Sequence, residues 1–254
     1  MSDKAAALIT GAGKRIGREI ALDLAGAGWN VAVHYNHSAT EAEAVAAEAR
    51  ALGVEAVALA ADLADEAQVA TLADRAAEAL GPLTCLVNNA SIFDYDTVKS
   101  ATRADWDRHM EVNLRAPFVL SQALAGQLPQ GRAGNIINVI DQRVWRLTPD
   151  FITYTLSKAG LWTLTQTLAM ALAPRIRVNA VGPGPVLPSK RQTAESFAGQ
   201  VAALPLGHQV AVSEICAAVR FILATPSLTG QMMALDGGQH LAWRQGDGPG
   251  GPQE

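Results

Sequence analysis

Short apolar runs of strand length recur along the chain at residues 5–9, 30–35, 54–60, 83–87, 135–140, 177–181 and 232–235. Between them lie longer segments rich in Ala, Leu and Glu, with apolar positions at helical spacing: 15–27, 40–52, 66–80, 103–128, 151–173 and 213–224. Strand–helix alternation at this spacing predicts parallel strands, because each helix carries the chain back across the sheet before the next strand begins. The strands are nearly unbroken apolar runs rather than alternating ones, the pattern of a sheet covered by helices on both faces. Gly28, Gly53 and Gly81 stand just past helical segments, where a left-handed end needs a residue without Cβ. The pattern predicts an α/β fold: one domain with a doubly wound, seven-stranded and mainly parallel sheet and helices on both faces.

Composition narrows the class. Of 254 residues 49% are hydrophobic and 17% charged, enough apolar material for a large core. The net charge of −4 excludes a strongly basic nucleic-acid binder. Cys85 and Cys216 stand apart in apolar surroundings, and no Cys/His cluster has metal-ligand spacing, so neither a disulfide nor a metal is expected. The apolar run at 5–9 is too short for a signal segment and the longest one, 159–173, is broken by threonines and Gln166, so a cytoplasmic protein without membrane contact is expected. The domain is placed at 1–244, and the Gly/Pro-rich segment 245–254 reads as a disordered tail.

The first strand runs into Thr10-Gly11-Ala12-Gly13-Lys14-Arg15-Ile16-Gly17, after which a helix begins. A glycine-rich turn there lets backbone approach a pyrophosphate, and the helix start supplies free N–H groups and the positive end of its dipole. The second strand ends His34-Tyr35-Asn36-His37-Ser38, without the Asp or Glu that would hold a ribose 2′-hydroxyl; the first carboxylate is Glu41. Polar donors there, with Arg15 across the turn, favour a 2′-phosphate and hence NADPH/NADP. Tyr154 and Lys158 are four residues apart, on one helix face. An ammonium close to a phenol favours the phenolate, so Lys158 is expected to lower the pKa of Tyr154 from about 10.

These motifs together resemble the short-chain dehydrogenase/reductase family over nearly the whole chain, which implies a Rossmann fold. The turn resembles the family's T-G-x-x-x-G-x-G with Arg15 at the middle glycine, Asn88-Asn89-Ala90-Ser91 its N-N-A-G, and Tyr154–Lys158 its Y-x-x-x-K. Thirteen residues before the tyrosine, where most members carry a serine that donates to a ketone, stands Asp141. An ionised Asp cannot donate, so it needs a raised pKa or a substrate that itself presents donors. T-G-x-x-K-R-x-G, H-Y-x-R-S-A with His37 in place of the Arg, N-N-A-S-x-F and this Asp are similar to the pteridine reductase subgroup.

That resemblance implies Asp141, Tyr154 and Lys158 as the catalytic set, with Asn113 relaying protons to Lys158. It implies a cofactor site of Gly11, Arg15, Ile16, Tyr35, Asn36, His37, Ser38, Asp62, Leu63, Asn89, Ala90, Ser91, Tyr154, Lys158, Pro183 and Gly184. The substrate would meet Arg15, Ser91, Asp141, Tyr154 and Phe93, the last stacked over a pterin. A loop at 186–204 would close over it. The implied activity is NADPH-dependent reduction of a dihydropterin or dihydrofolate-type ring, in a homotetramer. The alternatives are a short-chain reductase of 3-oxoacyl or other ketones, and an NADP-binding scaffold without turnover.

Overall fold

The computed structural model describes residues 4–242, so the expected tail at 245–254 lies outside the described residues. Seven strands form one sheet: β1 (Ala6–Ile9), β2 (Asn30–Tyr35), β3 (Ala56–Ala60), β4 (Leu83–Asn88), β5 (Gly134–Val139), β6 (Ile176–Pro183) and β7 (Met232–Leu235). Their order is β3-β2-β1-β4-β5-β6-β7, and every neighbouring pair is parallel.

The strands are mainly apolar, with buried polar residues such as His34, Asn88 and Asn138 toward their carboxyl ends, because successive side chains go to opposite faces that helices cover alike. On one face Ile9, Val33, Val87 and Ile137 meet Ile20 and Leu24 of α1 (Arg15–Gly26), Val45 of α2 (Ala39–Ala51), and Val219 and Ile222 of α8 (Val212–Ala224). On the other, Leu8, Leu86 and Ile136 meet Leu72 of α3 (Glu66–Leu80), Leu120 and Leu124 of α5 (Ala116–Gln127), and Leu168 of α6 (Ile152–Leu172). Among the described residues no helix is long and apolar enough to cross a membrane.

Two elements differ from the sequence reading. The segment 103–128 is not one helix: α4 (Arg103–Met110) passes through a π-helical turn at Glu111–Arg115 into α5. Pro117 lacks the N–H that an α-helix would send to the carbonyl of Asn113, and the chain widens so that Ala116 N–H bonds Glu111 O instead. The segment 186–204 is not only a loop. It contains α7 (Ala194–Ala202), whose N-terminus Thr193 caps by accepting Ser196 N–H at 3.1 Å.

The chain order reverses between β1 and β4. In such sheets the crevice outside the carboxyl ends of the strands at this switch point is where ligands sit. The β1–α1, β4–α4 and β5–α6 connections all open onto it.

Candidate active site

At the first rim of the crevice, Gly11 takes φ +63, and a Cβ there would stand 3.0 Å from the Ala90 Cα. A Cβ on Gly17 would strike the side-chain amide of Asn89 and the carbonyl of Gly11. Both positions leave a cradle that only glycine keeps open. Asn89 Nδ2 donates to Thr10 O (2.8 Å) and Gly11 O (3.2 Å), while Thr10 Oγ1 accepts the N–H groups of Asn89 and Ala90, each at 2.9 Å. The turn is thereby tied to the end of β4. No side chain caps α1, so its leading N–H groups face the crevice with the positive end of the dipole. This cradle and donor set fit a dinucleotide pyrophosphate. Arg15 has φ +56, so the position where the family pattern has glycine keeps the glycine-type backbone with a guanidinium added. That guanidinium reaches Leu187 O at 3.3 Å, bridging the turn to the 186–204 segment.

His34, on β2, was not among the expected site residues. Its ring is 2% exposed; Nδ1 accepts Gly11 N–H at 3.0 Å and Nε2 faces Ala61 O at 3.1 Å. Burial pushes its pKa down to about 4, so the ring is neutral. Next along the strand ends, Asn36 Nδ2 donates to Asp62 Oδ1 at 3.3 Å, and Asp62 Oδ1 also accepts Ala64 N–H. Glu41, the first carboxylate after β2, pairs with Lys14 at 2.6 Å.

At the centre, Tyr154 Oη donates to Asp141 Oδ2 at 2.9 Å, and Asp141 Oδ1 accepts Arg143 N–H at 2.8 Å. Burial raises the Asp141 pKa above the ordinary carboxylate value, the first of the two alternatives that the sequence left open for an Asp in this place. The expectation for the phenol is overturned. Burial first, and then the Asp141 carboxyl against its hydroxyl, raise the Tyr154 pKa well above 10. Lys158 does not reach the hydroxyl in this arrangement: its Nζ, 5.9 Å from the ring centroid, donates to Val139 O at 2.9 Å. Burial lowers the Lys158 pKa to about 8. One of its three N–H groups is spent on Val139, and Lys158 lines the crevice. The Tyr154–Asp141 pair is therefore a neutral phenol hydrogen-bonded to a carboxyl group of raised proton affinity.

Asn113 is buried beside this pair with its amide fully engaged. Oδ1 accepts Ile92 N–H (3.0 Å) and the Ser91 hydroxyl (3.2 Å); Nδ2 donates to Ile92 O and Ser157 Oγ, each at 3.0 Å. These bonds pin Ser91 and Ile92 to Ser157 of α6. Phe93 stacks on Phe151 with centroids 4.4 Å apart and meets Tyr154 edge-on at 4.6 Å. Phe93 lines the crevice and Phe151 backs it. Phe151 holds φ +59, and its N–H bonds Asp96 O at 2.8 Å. The buried Asp96 carboxylate also accepts Thr153 N–H and the Thr153 hydroxyl, fixing the start of α6 one residue before Tyr154. Arg191 spans the two rings, 5.0 Å from Phe93 and 5.4 Å from Phe151, and donates to Phe93 O at 2.7 Å.

The resulting cleft, about 460 Å³, is of ligand-binding size. It brings together Gly11, Arg15, Ile16, Asn89, Ala90 and Ser91 from the first two connections. Phe93, Asp141, Tyr154, Lys158, Pro183 and Gly184 complete the expected set on its walls. Tyr35, Asn36, His37, Ser38, Asp62 and Leu63 are not on this wall; they stand at the ends of β2 and β3, and Asn113 lies behind it. The sequence reading missed Gln142, Arg143 and Gln239, which also line the cleft. Gln142 Oε1 and Arg143 Nε are buried without a protein partner, polar atoms that a bound polar ring or water would satisfy. Proximity to Asp141 was the one sequence signal for the first two; Gln239 had none.

Comparison with known proteins agrees with this geometry. Residues 5–198 match the family model described as short chain dehydrogenase. A short-chain type dehydrogenase/reductase of Picea abies is 34% identical over 247 residues, covering 92% of this chain and 91% of the relative. The 3-oxoacyl-[acyl-carrier-protein] reductase FabG of Staphylococcus aureus is 34% identical over 240 residues, 92% of this chain and 98% of the relative. Among solved structures, the FolM alternative dihydrofolate reductase 1 of Brucella canis, complexed with NADP, matches with a TM-score of 0.93 and 48% identity over 96% of both chains. A short chain dehydrogenase of Burkholderia cenocepacia, also in complex with NADP, matches with a TM-score of 0.87 and 37% identity over 94% of this chain and 98% of the other. The chain belongs to the short-chain dehydrogenase/reductase family.

Proposed function

We propose that this chain reduces a pterin ring of the dihydropterin or dihydrofolate type to its tetrahydro form with NADPH. The observation that carries this reading is the Tyr154–Asp141 hydrogen bond at 2.9 Å, with a carboxyl group whose burial raises its proton affinity. A ketone carbonyl needs only a donor. A pterin edge presents both N–H donors and ring nitrogens, and a carboxyl group that can hold or release a proton serves both.

The bound dinucleotide would supply a hydride to a ring carbon. Phe93, backed by Phe151, offers the ring an aromatic face. Tyr154, held as a neutral phenol, and Asp141 hold the proton that goes to the adjacent ring nitrogen, so that one C=N bond becomes CH–NH. Lys158, on the cleft wall, would hold the cofactor's sugar hydroxyls. Arg15, Tyr35, Asn36, His37 and Ser38 would hold its phosphates, and Asp62 and Leu63 its adenine. The 48% identity to a structure named as an alternative dihydrofolate reductase complexed with NADP supports substrate and cofactor alike.

A second reading, reduction of a 3-oxoacyl thioester, is favoured by the relatives named as 3-oxoacyl-[acyl-carrier-protein] reductases. Asp141 in place of a hydroxyl donor argues against it. Steady-state NADPH oxidation with dihydrobiopterin, dihydromonapterin, dihydrofolate and an acetoacetyl thioester separates the two. Turnover of a reduced pterin is expected; turnover of the thioester alone would overturn the proposal. The exposed Leu156 and Met170 on α6 support the homotetramer through this helix, which sedimentation velocity tests: a monomer would refute it.

A further inference from the structure

The β1–β2 ladder ends at Ile9–Val33, so His34 is the first β2 residue with no β1 strand beside it. It fills that place with its own groups. Its backbone carbonyl accepts Ala12 N–H at 2.9 Å, and its ring Nδ1 accepts Gly11 N–H at 3.0 Å. Two successive N–H groups of the glycine turn are thus satisfied by one residue of the neighbouring strand. The far side of the ring meets Ala61 O at 3.1 Å, the carbonyl immediately before Asp62 at the end of β3. A carbonyl can only accept and Nδ1 is already accepting, so the proton sits on Nε2. The depressed basicity of this buried ring agrees with that single neutral tautomer.

We propose that His34 is a positioning residue for the dinucleotide, a neutral Nε2–H imidazole that clamps the phosphate turn at Gly11 to the β3 end at Ala61. Replacing Nδ1 with an apolar group leaves Gly11 N–H without its acceptor, in a turn whose left-handed glycine geometry must be held for N–H groups to point at phosphates. The ring makes no hydrogen bond to the Tyr154–Asp141 pair and meets the cleft wall through Gly11 N–H, so its effect runs through cofactor affinity. The inference rests on the reading that this turn holds NADPH.

The two ring nitrogens can be mimicked separately: Asn places an oxygen near Nδ1, and Gln places an amide near Nε2. NADPH is titrated by fluorescence against wild type, H34N, H34Q and H34L, with the melting temperature of each recorded. The clamp predicts that H34N binds within about threefold of wild type, and that H34Q and H34L bind about tenfold or more weakly. If H34L does not fold, the order of H34N against H34Q still decides. H34Q binding as tightly as H34N, or H34L as tightly as wild type, overturns the inference. A ¹⁵N-histidine correlation spectrum of the wild type must show His34 as the Nε2–H tautomer; an Nδ1–H ring also overturns it. Failure of the wild type to bind NADPH would instead refute the cofactor reading.

Discussion

Replacing Arg15 with glycine should move stability and cofactor affinity in opposite directions. Arg15 opens α1 with φ +56, in the left-handed region where a Cβ crowds the following carbonyl. A non-glycine residue in the left-handed region costs about 1–2 kcal/mol. Glycine removes that cost but adds about 0.5–1 kcal/mol of unfolded-state entropy. The exposed 3.3 Å bond to Leu187 O is worth little. The variant should therefore be about 0.5–1 kcal/mol more stable, a rise of about 1–4 °C in Tm for a chain of this size. On the proposed reading the guanidinium would make charge-assisted bonds to phosphate of about 1.5–3 kcal/mol, so NADPH should bind about 10- to 100-fold more weakly to the variant. Differential scanning fluorimetry without cofactor and a fluorescence titration with NADPH read the two effects on one preparation. A Tm that falls by several degrees, or a Kd that does not move, would refute the reasoning.

Asp141→Asn keeps a partner for the Tyr154 hydroxyl but cannot release a proton, so pterin kcat should fall by about 10²- to 10⁴-fold in steady-state assays; unchanged turnover would remove Asp141 from the chemistry. His34 should give the fold an acid limb. The unfolded chain takes up the histidine proton near 6.5, whereas the folded protein does so only near 4. Stability from the neutral ring is therefore complete above pH 6.5 and is lost as pH falls toward 4, by about 3 kcal/mol at most. Urea unfolding at pH 7, 5.5 and 4.5 should show this loss in wild type and a shallower one in H34N; equal slopes would contradict it.

The layered fold was legible because two-sided burial leaves its mark on every strand. Val31, Val33, Leu8, Ile9 and Leu86 must all be apolar when helices cover both faces, and no polar face breaks the runs. The break at Glu111–Arg115 was hidden because the apolar rhythm of 103–128 continues through it; only Pro117 signalled that one helical bond was missing. α7 was hidden in a polar segment whose one local cue was Thr193 three residues before Ser196. In the site, Tyr154, Lys158 and Asp141 could be placed together from spacing and family likeness. The direction of the Tyr154 shift could not, because it depends on how deeply the pair is buried and on where the Lys158 ammonium points. Phe151 behind Phe93 and His34 beneath Gly11 are contacts between segments distant in sequence, and nothing local encodes them.

On the proposed reading, hydride reaches a ring carbon of a pterin beside the Tyr154–Asp141 pair. Mass spectrometry of the product formed from a 7,8-dihydropterin and NADPH carrying deuterium at the transferable position of nicotinamide C4 tests it most directly. The account predicts a tetrahydropterin with one deuterium on the carbon of the reduced C=N bond. Recovered dihydropterin without label, from enzyme that transfers the same deuterium to an acetoacetyl thioester, would contradict it.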